Sequence, residues 1–145
     1  MVYFADTERN ENGMKRFTEV EDARAYFRND RFATGNGVCL DALTEDGCVC
    51  HVDLTDSHRN ALGGVMGGII FTLADFAFAV SSNNVHEGTV AIDVTVQFLS
   101  AAKGTRLIAE STCVRDGRTV CVYQVTVTDD TGRKIALFTG TGYKG

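Results

Sequence analysis

GGVMGGIIFTLADFAFAV, residues 63–80, has four glycines among its first six positions and then becomes almost wholly apolar. An apolar pattern that continues around nearly every side of a helix is typical of a helix buried on most of its surface. Thr72 and Asp75 interrupt the run, which is also shorter than the roughly 20 residues that a membrane-spanning helix needs. The stretch therefore predicts one long core helix over about residues 65–82.

The regions on both sides of this helix have the composition of β-strands. Two runs precede it, at residues 38–43 and 48–54, and the Asp46-Gly47 pair between them is a strong hairpin signal. Four β-rich runs follow it, at residues 89–99, 105–115, 119–128 and 134–142. The short turns between these four runs predict three successive hairpins. Because such short connections cannot make parallel crossovers, we expect an antiparallel sheet that wraps around the helix.

The N-terminal part of the chain is polar and then takes on helical spacing. Residues 19–29 place apolar side chains at the spacing of a short amphipathic helix, with Thr18 as the candidate N-cap. We expect a flexible tail over residues 1–16 and a single domain over residues 17–145, which is an ordinary domain size. The predicted element order is α-β-β-α-β-β-β-β, an α+β fold.

Composition and charge exclude several classes of function. The net charge is -5 and the 14 basic residues are scattered, so neither a nucleic acid nor a membrane is an expected partner. The N-terminus lacks the pattern of a secretion signal, and the five cysteines fit reduced thiols in a cytoplasmic protein. Cys48, Cys50 and His51 resemble half of a metal site, but no second ligand pair has suitable spacing. We therefore expect no metal.

The glycines lie where the predicted core helix begins. Without side chains at Gly63, Gly64, Gly67 and Gly68, the backbone is open to close approach. The N–H groups of a first helical turn are unpaired and carry part of the helix dipole, so they favour an anion or a developing oxyanion. No Gly-Lys-Ser/Thr follows, which excludes a phosphate-binding loop. Close packing of the helix against the sheet is the alternative explanation for the glycines.

Asp75 is the polar residue that most needs an explanation. An aspartate in an apolar helix is seldom buried unless it is paired or functional, so Asp75 is a candidate catalytic group. It lies eight residues after Gly67, about 12 Å along one helix, so the two cannot meet within a single helix. If they share a reaction centre, the second helix comes from another subunit related by a two-fold axis. The chemistry thus predicts a homodimer with two equal sites.

These residues resemble the hotdog-fold acyl-CoA thioesterases of the PaaI-like (phenylacetic acid degradation) type. In that family an Asn is followed after five residues by His-Gly-Gly, and then by an Asp or Glu in the same helix. Here the pattern reads Asn60, Met66-Gly67-Gly68 and Asp75. The similarity extends to three further stretches: DRFA at residues 30–33, AIDVTVQFL at 91–99 and RDGR at 115–118.

The resemblance implies a fold, an activity and site residues. The implied fold is a long helix wrapped by an antiparallel sheet, with active sites at a homodimer interface and often further pairing into a homotetramer. The implied reaction is hydrolysis of an acyl-CoA thioester to a carboxylic acid and free coenzyme A, with no cofactor besides the coenzyme A of the substrate. Asp75 would activate water or attack the thioester, the Gly67 N–H would polarise the carbonyl, and Asn60 would orient the acyl group or the water.

Six further residues are candidate substrate contacts by their positions: Met66, Gly68, Thr89, Ala91, Lys103 and Arg118. Lys103 and Arg118, with Arg115 as a third candidate, lie at or beside turns from which they could reach coenzyme A phosphates. His58, in the loop before the helix, is expected to be a solvated loop histidine rather than a catalyst.

Two positions depart from the family pattern. Met66 replaces the motif histidine, and a thioether neither donates a hydrogen bond nor titrates. Ala91 stands where relatives often have Ser or Thr, with Thr89 on the same strand face as the candidate substitute. We therefore expect reduced or differently selected activity. A non-catalytic or weakly active acyl-CoA-binding or regulatory protein is the second hypothesis, and a structural dimer with a vestigial site is the third.

Overall fold

The computed structural model describes residues 15–145, so residues 1–14 of the predicted tail over residues 1–16 lie outside the described residues. Lys15 and Arg16 precede the first helix, and the Arg16 N–H donates to the Asn84 carbonyl at 2.7 Å. The elements are α1 (Val20–Phe27), α2 (Arg31–Gly35), β1 (Val38–Leu43), β2 (Gly47–Asp53), a 3-10 turn (Asp56–His58), α3 (Gly67–Val85), β3 (Val90–Phe98), β4 (Arg106–Asp116), β5 (Val120–Asp129) and β6 (Lys134–Tyr143). The predicted α+β class and strand positions are confirmed.

The six strands form one antiparallel sheet in the order β1-β2-β4-β5-β6-β3. The predicted hairpins between β1 and β2, β4 and β5, and β5 and β6 are confirmed. The predicted hairpin between β3 and β4 is wrong, because β3 pairs with β6 at the far edge of the sheet. β3 and β1 are therefore the two edge strands, and β1 packs against α1 and α2.

A turn between β5 and β6 explains how the chain crosses from β3 to β4. Asp129 is buried, and its Oδ2 accepts the backbone N–H groups of Lys103 and Gly104 at 2.7 and 3.0 Å. The Thr131 hydroxyl and backbone N–H groups, including that of Arg133, hold the pKa of Asp129 well below its usual range. The ionised Asp129 carboxylate thus holds the segment between β3 and β4 where it crosses the sheet. Local turn residues carry no information about this long-range contact.

The core helix α3 lies against the sheet, and its 11 buried residues face mainly β2, β4 and β5. It begins at Gly67 rather than at residue 65, because Met66 has extended backbone angles and forms the N-cap. It continues to Val85, past the predicted end, where the His86 N–H donates to the Ser82 carbonyl at 2.9 Å. By length and composition α3 resembles a membrane span, but most of it is buried inside the fold, as in a core helix.

The N-terminal helices differ in detail from the expectation. Thr18 does not cap α1, since the helix begins after Glu19, which makes no side-chain capping bond. The short helix α2 was not predicted, because five residues are too few for a periodic pattern. Its N-cap is Asp30, whose Oδ1 accepts the Ala33 N–H at 3.1 Å. The sequence signal for α2 was therefore a capping residue rather than periodicity.

The Cys48-x-Cys50-His51 pattern is split by the strand that carries it. Cys48 and Cys50 are buried with their Sγ atoms 3.8 Å apart, and the Cys48 contact and burial raise the pKa of the Cys50 thiol. The His51 side chain lies on the opposite face, where its Nδ1 is 2.7 Å from Asp41. The three residues therefore do not converge on one point.

Candidate active site

The loop before α3 is held by a buried histidine. His58 Nδ1 accepts the Thr55 N–H at 3.1 Å, and its Nε2 lies 2.8 Å from the Asn36 carbonyl, which can only accept. This pair of bonds fits the neutral ring with its proton on Nε2. The His58 carbonyl also accepts the Met66 N–H at 2.9 Å. The expectation of a solvated loop histidine is wrong, because His58 fastens the loop that leads into the helix.

Asn60 shapes the glycine turn that follows. Its Oδ1 accepts the backbone N–H groups of Leu62 and Gly64 at 3.0 and 3.1 Å, and its own N–H donates to the Gly64 carbonyl at 2.8 Å. Gly63 has a φ of 82°, a left-handed conformation that favours glycine. Asn60 therefore has a structural role that the sequence did not reveal. Within residues 15–145 its Nδ2 has no acceptor, so that amide is the part of the side chain available to a ligand.

A cleft of about 590 Å³ opens beside the start of α3. This glycine cleft is lined by Arg59, Asn60, Gly63, Gly64, Val65, Gly67, Ile70 and residues 98–102. A Cβ at Gly67 would lie 3.1 Å from the Phe98 ring, so glycine allows that ring to approach the first helical turn closely. Met66 is 55% exposed and lies beside Gly68. The structure thus brings Asn60 and Gly67 together, with Met66 and Gly68 next to them.

Asp75 lies two helical turns further along α3, in a different cleft. This aspartate cleft has a volume of about 210 Å³ and is lined by Asp30, Phe32, Ala33, Phe71, Thr72, Asp75 and Phe76. Asp75 is half-buried, and within the described residues it has no hydrogen bond or ion pair. Burial, and then the charge of Asp30, raise the pKa of Asp75 above its ordinary value. A carboxylate in this setting is suited to accept a proton or to attack an electrophile.

One subunit does not bring Asp75 and Gly67 to a common point. They line separate clefts, and their spacing along α3 corresponds to about 12 Å. The edge strand β3 exposes large apolar side chains: Phe98, whose ring lies beside Gly67, is 58% exposed, and Ile92, toward the other end of the strand, is 57% exposed. An edge strand with exposed apolar residues is a surface that commonly pairs with another chain.

The other predicted substrate contacts lie outside the glycine cleft and the aspartate cleft, or beside their rims. Thr89 is buried before β3, and its hydroxyl donates to the His86 carbonyl at 2.6 Å, so it is not on the exposed face with Ala91. Ala91 pairs with Gly142, at the end of β3 away from Phe98. Lys103 follows the rim of the glycine cleft, whereas Arg118 lies in the turn after β4, at the other end of that strand. One subunit therefore does not bring Lys103 and Arg118 together.

The amino-acid sequence matches the thioesterase superfamily over residues 62–136. A protein of Archaeoglobus fulgidus assigned as an esterase is 32% identical over 132 residues, which span 90% of this chain and 86% of that protein. The acyl-coenzyme A thioesterase PaaI of Escherichia coli is 28% identical over 125 residues, which span 86% of this chain and 89% of that protein.

Solved structures share the architecture. The E. coli PaaI protein from the phenylacetic acid degradation operon superposes with a TM-score of 0.81 at 27% identity, over 87% of this chain and 92% of that one. A Streptococcus mutans protein with bound acetyl-CoA superposes with a TM-score of 0.71 at 26% identity, over 75% of this chain and 89% of that one. Sequence and architecture agree that the chain belongs to the thioesterase superfamily, as a PaaI-like protein with the hotdog fold.

Proposed function

We propose that this protein is an acyl-CoA thioesterase, which hydrolyses the thioester of an acyl-CoA to a carboxylic acid and free coenzyme A. The observation that carries the proposal is Asp75, a half-buried carboxylate in an aromatic-lined cleft, on the helix whose first turn presents the Gly67 N–H. Within residues 15–145 this carboxylate has no hydrogen bond or ion pair. The PaaI relative and the neighbour with bound acetyl-CoA support this choice of substrate. The alternative of a non-catalytic binding protein rests only on the departures from the family motif at Met66 and Ala91.

Each residue of the site has a defined task in this reaction. As general base, Asp75 takes a proton from water while the water oxygen bonds to the thioester carbon. As nucleophile, its oxygen bonds to that carbon directly, and once coenzyme A has left, water hydrolyses the acyl-aspartate anhydride to the carboxylic acid and free Asp75. The Gly67 N–H donates to the carbonyl oxygen as negative charge develops there. The C–S bond then breaks and the coenzyme A sulfur takes up a proton. The Asn60 Nδ2 orients the acyl carbonyl or the water, and the reaction needs no separate cofactor.

The site is complete only in a homodimer. Two β3 edges would pair around a two-fold axis, which buries Ile92 and Phe98 and places Asp75 of one subunit opposite Gly67 of the partner subunit. The same symmetry lets Lys103 and Arg118 from different subunits approach one coenzyme A. Further pairing of dimers into tetramers and a cytoplasmic location complete the proposal.

The departures from the family pattern set the expected level of activity. Met66 offers no hydrogen-bond donor where the motif has histidine, and Ala91 offers no hydroxyl. Since the Thr89 hydroxyl already donates to the His86 carbonyl, it does not replace the missing group. The Gly67 N–H is then the main oxyanion donor. Activity should be detectable and lower than that of an enzyme with the complete motif.

The decisive assay is release of free coenzyme A from a panel of aryl and aliphatic acyl-CoAs. Asp75→Asn should lower kcat/KM by roughly 10² to 10⁴, the usual contribution of a positioned base. Asp22→Asn, which removes an exposed carboxylate from α1, is the matched control and should retain full activity. The same acyl groups attached to an acyl carrier protein test the other thioester source. Acyl-CoA binding without turnover above the Asp75→Asn background would contradict the proposal and favour a binding protein.

A further inference from the structure

The aspartate cleft contains a second carboxylate, Asp30, to which the reaction above gives no task. Asp30 and Asp75 line the same space of about 210 Å³. The other lining residues are uncharged: Phe32, Ala33, Phe71, Thr72 and Phe76. Two carboxylates thus share a small, mostly apolar space, and no cationic residue among residues 15–145 lines it.

The position of Asp30 is fixed by its backbone and side chain together. Its N–H donates to the Phe27 carbonyl at 3.0 Å, and its carbonyl accepts the Thr34 N–H at 3.1 Å. Its Oδ1 accepts the Ala33 N–H at 3.1 Å as the N-cap of α2. The carboxylate cannot turn away from the cleft without uncapping the helix.

Among the described residues, Asp30 is the one charged residue that lines the aspartate cleft together with Asp75. The neighbouring elements carry other charged residues, none of which lines the aspartate cleft: Glu21, Asp22 and Arg24 on α1, Arg28 just after it, Arg31 on α2 and Asp41 on β1. Burial is the larger cause of the raised pKa of Asp75, and the charge of Asp30 adds to it. Like charges in one poorly solvated space favour proton uptake by one of the two groups.

We propose that Asp30 is a positioning residue, whose fixed carboxylate makes Asp75 a stronger base for the attack on the thioester. The inference rests on the proposed function, in which Asp75 is the base or nucleophile. A stronger base takes the proton of the attacking water more readily, so the like-charge neighbour favours hydrolysis. Asp30 touches neither the water nor the thioester in this role, because it acts through Asp75.

The test is Asp30→Asn, since asparagine caps a helix as well as aspartate does and the substitution removes only the charge. In 13C-labelled protein, the NMR titration midpoint of the Asp75 carboxyl should move to lower pH, and Asp75→Asn assigns that resonance. The acid limb of the pH profile of kcat/KM should move in the same direction, and the plateau should fall. Asp22→Asn removes a charge from α1, outside the cleft, and should change none of these quantities.

A second variant separates charge from capping. Asp30→Ala removes both, so it should lower the thermal midpoint of unfolding and still move the Asp75 titration to the same extent. A purely structural role would lower kcat/KM evenly at all pH values, with the Asp75 midpoint unmoved in Asp30→Asn, and that result overturns the inference. If the wild type releases no coenzyme A from any acyl-CoA, the proposed function fails, but the NMR midpoint still decides the role of Asp30.

Discussion

The glycine cleft and the aspartate cleft lie along the same helix and differ in almost every property. The glycine cleft is large and built mainly from backbone. The Asn60 Oδ1 and the Arg59 guanidinium form hydrogen bonds that hold its glycine turn. The second is small and lined by aromatic rings, and it contains two carboxylates. The proposed oxyanion donor, the Gly67 N–H, lies in the first cleft and the proposed base, Asp75, in the second. Under the proposed function each subunit therefore contributes two different half-sites, and pairing of two subunits completes the reaction centre.

The largest expected effect comes from inactivating one half-site in each of two chains. Asp75→Asn and Gly67→Val should each lose roughly 10²-fold or more in kcat/KM, because one lacks the base and the other covers the donor with a side chain. Mixed in equal amounts and allowed to exchange subunits, they should regain about a quarter of wild-type activity, since half of the dimers then hold one intact site. Release of coenzyme A before and after exchange measures the recovery.

A matched mixture controls this experiment. Wild type mixed with the double variant Asp75→Asn/Gly67→Val should retain about a quarter of full activity if sites are shared, and about half if each chain holds its own site. No recovery in the first mixture, together with half activity in the second, would contradict the shared site.

The second prediction breaks the assembly and leaves both half-sites unmodified. Ile92→Asp puts a charge on the exposed β3 edge and should turn dimers into monomers, with a loss of about tenfold or more in kcat/KM at nanomolar enzyme. Light scattering coupled to size-exclusion chromatography gives the mass. Val114→Asp makes the same kind of change on β4, at a residue 62% exposed, and should leave both mass and activity unchanged. A fully active Ile92→Asp monomer would show that one chain suffices.

The third prediction adds a donor to the glycine half-site. Met66→His restores an imidazole at the exposed N-cap of α3, and kcat/KM should rise by several-fold, because a second donor then reaches the developing oxyanion. Leu62→His places the same group at an exposed position of the preceding loop and should have no effect. Equal activity of the two variants would mean that the methionine position lies outside the reaction centre.

The smallest effect is on stability and has the opposite sign to the effect on activity. Because burial raises the pKa of Asp75, the unfolded chain loses this proton at lower pH than the folded protein does. The folded state is therefore penalised as the pH rises above the ordinary aspartate pKa of about 3.9, and the penalty is constant once the pH exceeds the raised value. Asp75→Asn should thus have the higher Tm at pH 7, and the difference should vanish below about pH 3.9. A lower Tm at pH 7 would contradict this account.

The two half-sites were accessible to sequence reasoning to different degrees. The separation of Asp75 from Gly67 follows from helical rise alone, and the structure places them in different clefts as predicted. Asp30 was visible only as part of a stretch shared with the family, since its place in the aspartate cleft depends on how α2 packs. The burial of His58 likewise depends on the carbonyl of Asn36, which is remote in sequence.

The fold shows the same division between local and long-range information. Turn residues such as Asp46-Gly47 identified the hairpins that the sheet contains. The partner of β3 could not be predicted, because the bonds that carry the chain past its neighbour come from Asp129, more than twenty residues later. Local patterns thus locate strands, while side-chain bonds between distant segments decide their order.

The pairing of β3 with β6 also has a consequence for biosynthesis. β4, β5 and β6 all follow β3 along the chain, so the edge strand has no partner within its own sheet until those three strands have been synthesised. Until then its apolar residues, Ile92 among them, belong to an unpaired segment on the ribosome. If two subunits pair through the β3 edge as proposed, nascent chains on one messenger RNA cannot join through a finished edge, and dimer assembly must wait until β6 has emerged.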